Sequence, residues 1–264
     1  MRVFISADME GISGACMRED FEPGHPRYEK ARLLLTADVN AVVAGAIEGG
    51  ADDLIVADMH DGGANFVFEQ LDDRARYLIG GPHWPRFPYL DKGIDAFFLV
   101  AYHARANTPE AVADHTFSSE AWQKLEINGQ EVGEIAVDAS IAGYYGVPTV
   151  FVSGDDKVAA EARALFGPIE TPIVKYGVAR HRALFLPLSK ARAGLREAAR
   201  RAVGLVGKIK PLRFEPPYEL RLTYSLNTYA DGRHFDNHVT FRDGGRTVVV
   251  KGNDLMECFA RLWA

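Results

Sequence analysis

Residues 2–14 read RVFISADMEGISG: a short, apolar, β-branched run from Arg2 to Ala7, then the carboxylates Asp8 and Glu10 and the glycines Gly11 and Gly14. That is the pattern of a buried strand whose carboxyl end opens into a loop. The pattern recurs at Leu54 to Ala57, which ends on Asp58 and His60 with Gly62 and Gly63 behind them. Further strands are predicted at Tyr77 to Ile79, at Ile94 to Tyr102 with His103 at its end, and at Val147 to Val152, which ends on Gly154, Asp155 and Asp156. Between Tyr28 and Ile47 apolar residues recur at helical spacing until Gly49 and Gly50 stop the run, and helices are also predicted from Glu134 through Tyr145, over Lys157 to Phe166 and over Ser189 to Val206. Strands alternating with helices predict an α/β fold, a mostly parallel central sheet flanked by helices.

Two regions depart from this alternation. Leu125 to Val132 contains Asn128-Gly129, a strong short-range hairpin signal. After the proline-marked KIKPLRFEPP connection at 208–217, strands are predicted at Tyr218 to Tyr224, His238 to Phe241 and Thr247 to Lys251, and Asn253 is placed to cap a last helix through Trp263. The chain is therefore expected to divide into an α/β unit, 1–168, and a smaller α+β carboxy-terminal domain, 169–264.

Composition limits the function classes. The 264 residues are 47% hydrophobic and 25% charged, with 30 Lys and Arg against 36 Asp and Glu, giving a net charge of −6. An acidic chain with scattered basic residues is a poor candidate for sequence-blind binding to nucleic acid or an anionic membrane. No apolar run reaches the ~18 residues that span a bilayer, and Asp8 interrupts the amino terminus before a signal-peptide apolar region is complete. Cys16 and Cys258 form neither a disulfide framework nor a CxxC pair. A soluble, cytoplasmic protein with reduced thiols is expected. Dinucleotide (GxGxxG), Walker, HExxH and GxSxG motifs are absent from the sequence.

In open α/β sheets ligands bind beyond the carboxyl ends of the strands, and that is where the metal-capable side chains fall: Asp8, Glu10, His60, His103 and, just past the hairpin, Glu134. Asp8 and Glu10 are two apart in an extended segment, so both carboxylates can face one site. A dication is the simplest way to keep such neighbours ionised. Three carboxylates and two imidazoles suit Zn, Mn, Co or a similar first-row ion better than Mg or Ca. If one carboxylate bridges, two ions about 3.5–4 Å apart become possible. Each residue alone has an ordinary reading: Asp8 and Glu10 as turn caps or partners of Arg18 or Arg105, His60 and His103 as loop histidines bonded to backbone. Their common placement at one sheet edge favours a site. His25, His83 and His181 read as loop residues, and His234 and His238 around Asp236 as a solvated hairpin.

Taken in order, SADMEGISG, DMH at Asp58 to His60, YHARANTP from Tyr102, His115, NGQEVGE ending at Glu134, AGYYGVP and SGDD at Ser153 to Asp156 resemble the D-aminopeptidase family of zinc peptidases over roughly the first 160 residues. The resemblance implies a dinuclear zinc site, two Zn2+ per subunit. Asp8 would bridge, Glu10 and His103 would complete one ion's protein ligands, and His60 and Glu134 would serve the other. It also implies a catalytic role for His115 as base, acid or nucleophile, cleavage of an amino-terminal D-residue from short peptides such as D-Ala-D-Ala, and a homo-oligomer, a decameric ring. Arg105 and Asn107 are candidates to contact substrate, and Phe97, Phe98 or Phe185 to Leu188 to form an apolar patch between subunits. Metal-dependent hydrolysis of other small amides, or two-metal phosphoesterase chemistry assisted by Arg18 and Arg105, would use the same ligand set.

Overall fold

A computed structural model describes residues 1–81, 84–233, 235 and 240–263. In chain order the elements are β1 (Arg2–Ala7), α1 (Pro26–Glu48), β2 (Asp53–Asp58), β3 (Arg76–Leu78), β4 (Ala96–Val100), β5 (Trp122–Ile127), β6 (Gln130–Val132), α2 (Glu134–Tyr144), β7 (Thr149–Val152), β8 (Gly154–Asp155) and α3 (Asp156–Phe166). They continue with β9 (Ile173–Ala179), β10 (Arg182–Phe185), α4 (Leu188–Val203), β11 (Tyr218–Tyr224), α5 (Asn227–Asp231), β12 (Thr240–Asp243), β13 (Thr247–Gly252) and α6 (Leu255–Trp263).

The all-parallel sheet has the order β3-β2-β1-β4-β7. Because β1 continues through α1 to β2 on one side and β4 lies on its other side, the strand order reverses at β1, where an open α/β sheet forms its ligand crevice. Successive side chains on a strand point to opposite faces, and the core divides accordingly. Val3, Ile5, Val56, Phe98 and Val100 pack with Leu35, Val39, Val42 and Val43 of α1 and Ala191, Leu195 and Ala198 of α4. Phe4, Ile55, Phe97 and Leu99 pack on the other face with Ile135 and Ile141 of α2, Leu125 of β5, Leu220 of β11 and Phe259 of α6. The near-continuous apolar character of these strands follows from burial on both faces.

Strands β5 and β6 turn through Asn128 (φ 52°) and Gly129 (φ 78°), the left-handed pair that a tight hairpin needs. This hairpin joins an antiparallel sheet of order β12-β13-β11-β5-β6, so β5 pairs with β11 across the 168/169 division. A third sheet, β10-β9-β8, contains a β9–β10 hairpin that apolar periodicity did not predict: one face carries Tyr176, Val178 and Leu184, all exposed, and Phe185 at the end of β10 is exposed as well. Helix α1 begins with His25 as its cap, accepting from the Arg27 N–H at 3.3 Å, and Pro26 in the first turn. At α6 the cap is Asp254 rather than Asn253, because the Asp254 carboxylate accepts the Glu257 N–H at 2.9 Å. Phe97 and Phe98 are core residues, whereas Leu184, Phe185 and Leu188 are exposed. No helix among the described residues is long and apolar enough to cross a membrane.

Candidate metal centre

The ends of β1, β2 and β4 place Asp8, His60 and His103 side by side, and Glu10 and Glu134 close the group. Main-chain bonds fix the three loops to one another: Asp8 N–H donates to Val100 O (2.9 Å), Met59 N–H to Ala7 O (2.8 Å) and Gly11 N–H to Ala101 O (2.7 Å). Gly11 is required by this close approach, since a Cβ there would sit 2.2 Å from the Tyr102 carbonyl oxygen. Glu134 is the first residue of α2, and its Oε1 accepts the Phe117 N–H at 2.7 Å. All five side chains are buried.

Asp8 divides its oxygens. Oδ1 faces His60 Nδ1 at 3.3 Å and Oδ2 faces His103 Nε2 at 3.4 Å. His60 Nδ1 is also 3.1 Å from Glu10 Oε2, and His103 Nε2 is 3.2 Å from Glu134 Oε1. Each imidazole is held at its far side by a carbonyl, His60 Nε2 by Phe21 O (2.9 Å) and His103 Nδ1 by Ala104 O (2.9 Å). A carbonyl only accepts, so the proton sits on that far nitrogen and the nitrogen facing the carboxylates is the bare one in the neutral ring. This is how metal-ligating histidines are oriented. Asp8 Oδ2, Glu10 Oε2 and His103 Nε2 are buried without a hydrogen-bond partner, the kind of polar atom that needs an explanation. The ligand-capable atoms of Asp8, Glu10 and His103 lie within 4.8 Å of one another, as do those of His103, His115 and Glu134.

The electrostatics show the strain of this assembly. Burial, reinforced by Glu10, pushes Asp8 up to about 7. Burial would also raise Glu10 and Glu134, but His60 pulls Glu10 well below the carboxylate range and His103 brings Glu134 down to about 2. Against the effect of burial, Glu134 and Asp8 hold His103 up at about 10. His115 differs: burial and the neighbouring His103 both lower it. Its ring stacks on His103 with centroids 3.9 Å apart, Nδ1 donates to Ala113 O at 2.9 Å, and Nε2 is 3.5 Å from Glu134 Oε1.

The centre forms the floor of a cavity of about 760 Å³, whose lining includes Phe21, Met59, Arg86, His115, Phe117 and Arg180. Arg18 and His181 also line it, both exposed, whereas Arg105 and Asn107 do not. Arg105 instead faces Glu131 at 3.5 Å, and Asn107 donates to Gln123 O at 2.8 Å. Nor does Arg18 or Arg105 hold Asp8 or Glu10 as a surface ion pair, since Arg18 is taken by Glu22 and Glu120. His83, His234, Asp236 and His238 lie outside the described residues.

Two supports were not legible in the sequence. Lys175 of β9 is fully buried and its Nζ donates to the carbonyls of Glu10, Ile12 (3.0 Å) and Ala15 (2.7 Å), pinning the loop that carries Glu10. Asp138, one turn beyond Glu134 on α2, takes Arg86 through two bonds (2.6 and 3.1 Å) and the Tyr102 hydroxyl at 2.5 Å, with Ser6 beyond it at 2.6 Å. A lone Lys or Asp in a helix or strand gives no local signal of a partner 30 or more residues away.

Comparison with known proteins agrees with this geometry. The chain is 33% identical over 265 residues to a D-aminopeptidase of Bacillus subtilis (strain 168), covering 98% of this chain and 94% of that one. Its fold matches a solved structure described as the Zn-dependent D-aminopeptidase DppA from Bacillus subtilis, a self-compartmentalizing protease, with a TM-score of 0.94 and 30% identity, covering all of this chain and 96% of the other. A family model described as D-aminopeptidase matches residues 1–264, and the chain belongs to that D-aminopeptidase family.

Proposed function

We propose that the protein is a zinc-dependent aminopeptidase that removes the amino-terminal D-residue from short peptides, and that Asp8, Glu10, His60, His103 and Glu134 would hold two zinc ions. The observation that carries this is the set of buried, unpartnered donor atoms on Asp8, Glu10 and His103, beside two histidines whose far nitrogens are fixed by carbonyls. Mixed oxygen and nitrogen donors suit zinc. Residues 1–168 supply all of these groups, and 169–264 supplies Lys175.

When bound, zinc supplies Lewis acidity, polarising an amide carbonyl and making water nucleophilic near neutral pH. The chain's own residues do the rest. His115 is held neutral, its Nδ1 proton fixed on Ala113 O, so Nε2 is the basic atom in the cavity. There it accepts a proton during attack and returns it to the departing amine, with Glu134 at 3.5 Å to steady the imidazolium between the two events. The Asp58 carboxylate accepts from Asn65 N–H (2.5 Å) and Nδ2 (2.7 Å), and Asn65 Nδ2 also donates to His60 O (2.6 Å), which keeps the His60 loop in place. Phe21, Met59 and Phe117 supply the apolar part of the cavity wall.

Assembly into a ring of ten copies belongs to the same proposal. The exposed apolar side chains of Leu184, Phe185 and Leu188 support a subunit contact. The test of the chemistry is D-Ala-D-Ala hydrolysis by Asp8→Ala and His115→Ala proteins. Asp8→Ala is expected to lose both zinc and turnover, His115→Ala turnover alone; an active, fully loaded Asp8→Ala protein would overturn the reading.

A further inference from the structure

Aminopeptidase chemistry at the metal centre accounts for a peptide's amino-terminal end but leaves its other end without a recognised partner. The cavity contains one feature suited to it. Arg86 is buried, at 8% exposure, yet lines the cavity; the other lining arginines, Arg18 and Arg180, are exposed and taken by Glu22, Glu120 and Asp114. The Arg86 guanidinium is clamped. Nε and Nη2 both donate to Asp138, and its Cζ lies 5.3 Å from the Phe87 ring centroid and 4.9 Å from that of Phe117. Of five N–H groups, two are used by Asp138, and Nη1 has no partner among the described residues.

Phe117 sets the distance from Arg86 to the chemistry: its ring covers the guanidinium, and its backbone N–H donates to Glu134. The guanidinium thus stands about one side chain away from the centre, on a wall that Asp138, Tyr102 and Ser6 hold from behind. A rigid, partly desolvated guanidinium edge with unused N–H groups matches a carboxylate. In a dipeptide the terminal carboxyl carbon lies two bonds, about 2.5 Å, beyond the scissile nitrogen.

We propose that Arg86 is a specificity-determining residue that receives the carboxy-terminal carboxylate of the substrate, which makes the enzyme selective for very short peptides with a free carboxyl end. This rests on the peptidase reading above. Asp138 is then a positioning residue, since it aims the guanidinium without touching substrate.

The test compares D-Ala-D-Ala with its carboxy-terminal amide. Wild-type protein is expected to show kcat/KM about 10- to 100-fold higher for the acid, the discrimination of a charge-assisted hydrogen-bonded pair. In Arg86→Lys the preference should shrink chiefly through a higher KM for the acid. A double variant, Arg86→Gln with Asp138→Asn, leaves no unpaired buried charge and should handle acid and amide alike. The wild-type comparison needs no variant to fold. Equal kcat/KM for acid and amide in the wild type would overturn the carboxylate role and leave the peptidase reading standing. Equal kcat losses on both substrates in Arg86→Lys would likewise overturn it, assigning Arg86 to the reacting centre. Failure of the wild type to cleave either would overturn both.

Discussion

Replacing Lys175 with Met tests whether the loop carrying Glu10 is held by this lysine or merely lies beside it. Three buried carbonyls, those of Glu10, Ile12 and Ala15, would lose their donor. At about 2 kcal/mol for each abandoned acceptor the gross cost is about 6 kcal/mol. Against this stands the cost of keeping the ammonium buried: desolvation pushes its pKa from 10.5 down to about 8, equivalent to about 3 kcal/mol at neutral pH. The net expectation is a destabilisation of about 3 kcal/mol, read by urea unfolding, with zinc affinity reduced at least about tenfold because a group supporting a ligand has been removed. Lys175→Arg should not restore affinity, since a fork of five donors does not fit a site built around three converging carbonyls. A Lys175→Met protein within about 1 kcal/mol of wild type and with unchanged zinc affinity would refute the reasoning.

Gly11→Ala should abolish activity and destabilise the protein by about 3 kcal/mol or more, because the new Cβ would meet the Tyr102 carbonyl oxygen at 2.2 Å; a soluble, fully active variant by calorimetry and assay would contradict this. Metal-free protein should melt lower at pH 8 than at pH 6. His103, held at about 10 against 6.5, contributes stability that is full below pH 6.5 and is lost as pH rises toward 10, and Asp8, raised from 3.8 to about 7, works in the same direction at lower pH. Zinc-loaded protein should lose or reverse that trend, because metal binding competes with protons; thermal melts of both forms decide it. Light scattering should give a mass near ten copies of the 29.1 kDa chain, and Leu184→Asp should lower it, whereas a monomeric wild type would remove the ring from the proposal.

The parallel sheet was legible because β1, β2, β4 and β7 are buried on both faces and read as apolar runs, closed by Gly, a carboxylate or, after β4, by His103. The strand ends then showed Asp8, Glu10, His60 and His103, since polar groups directly after a core strand stand out against it. The β9–β10 hairpin was not legible: its buried positions include Lys175 and Gly177 while Tyr176, Val178 and Leu184 are exposed, the reverse of the apolar-in, polar-out alternation that marks a strand. Pairing of β5 with β11 was hidden for a related reason, as a hairpin signal specifies its own turn but not its outer neighbour. Arg105 looked nearer to the chemistry than Arg86 because it follows His103 in the chain. The backbone carries it out of the cavity, and Arg86 arrives from a loop with no motif.

The most direct single measurement is the hydrolysis of matched D-alanyl and L-alanyl dipeptides by the purified protein as prepared, after chelation, and after zinc is restored. Cleavage of the D form alone, abolished by chelation and recovered with zinc, is the predicted result. Undiminished cleavage after complete metal removal, or turnover of the L form in place of the D form, would contradict it.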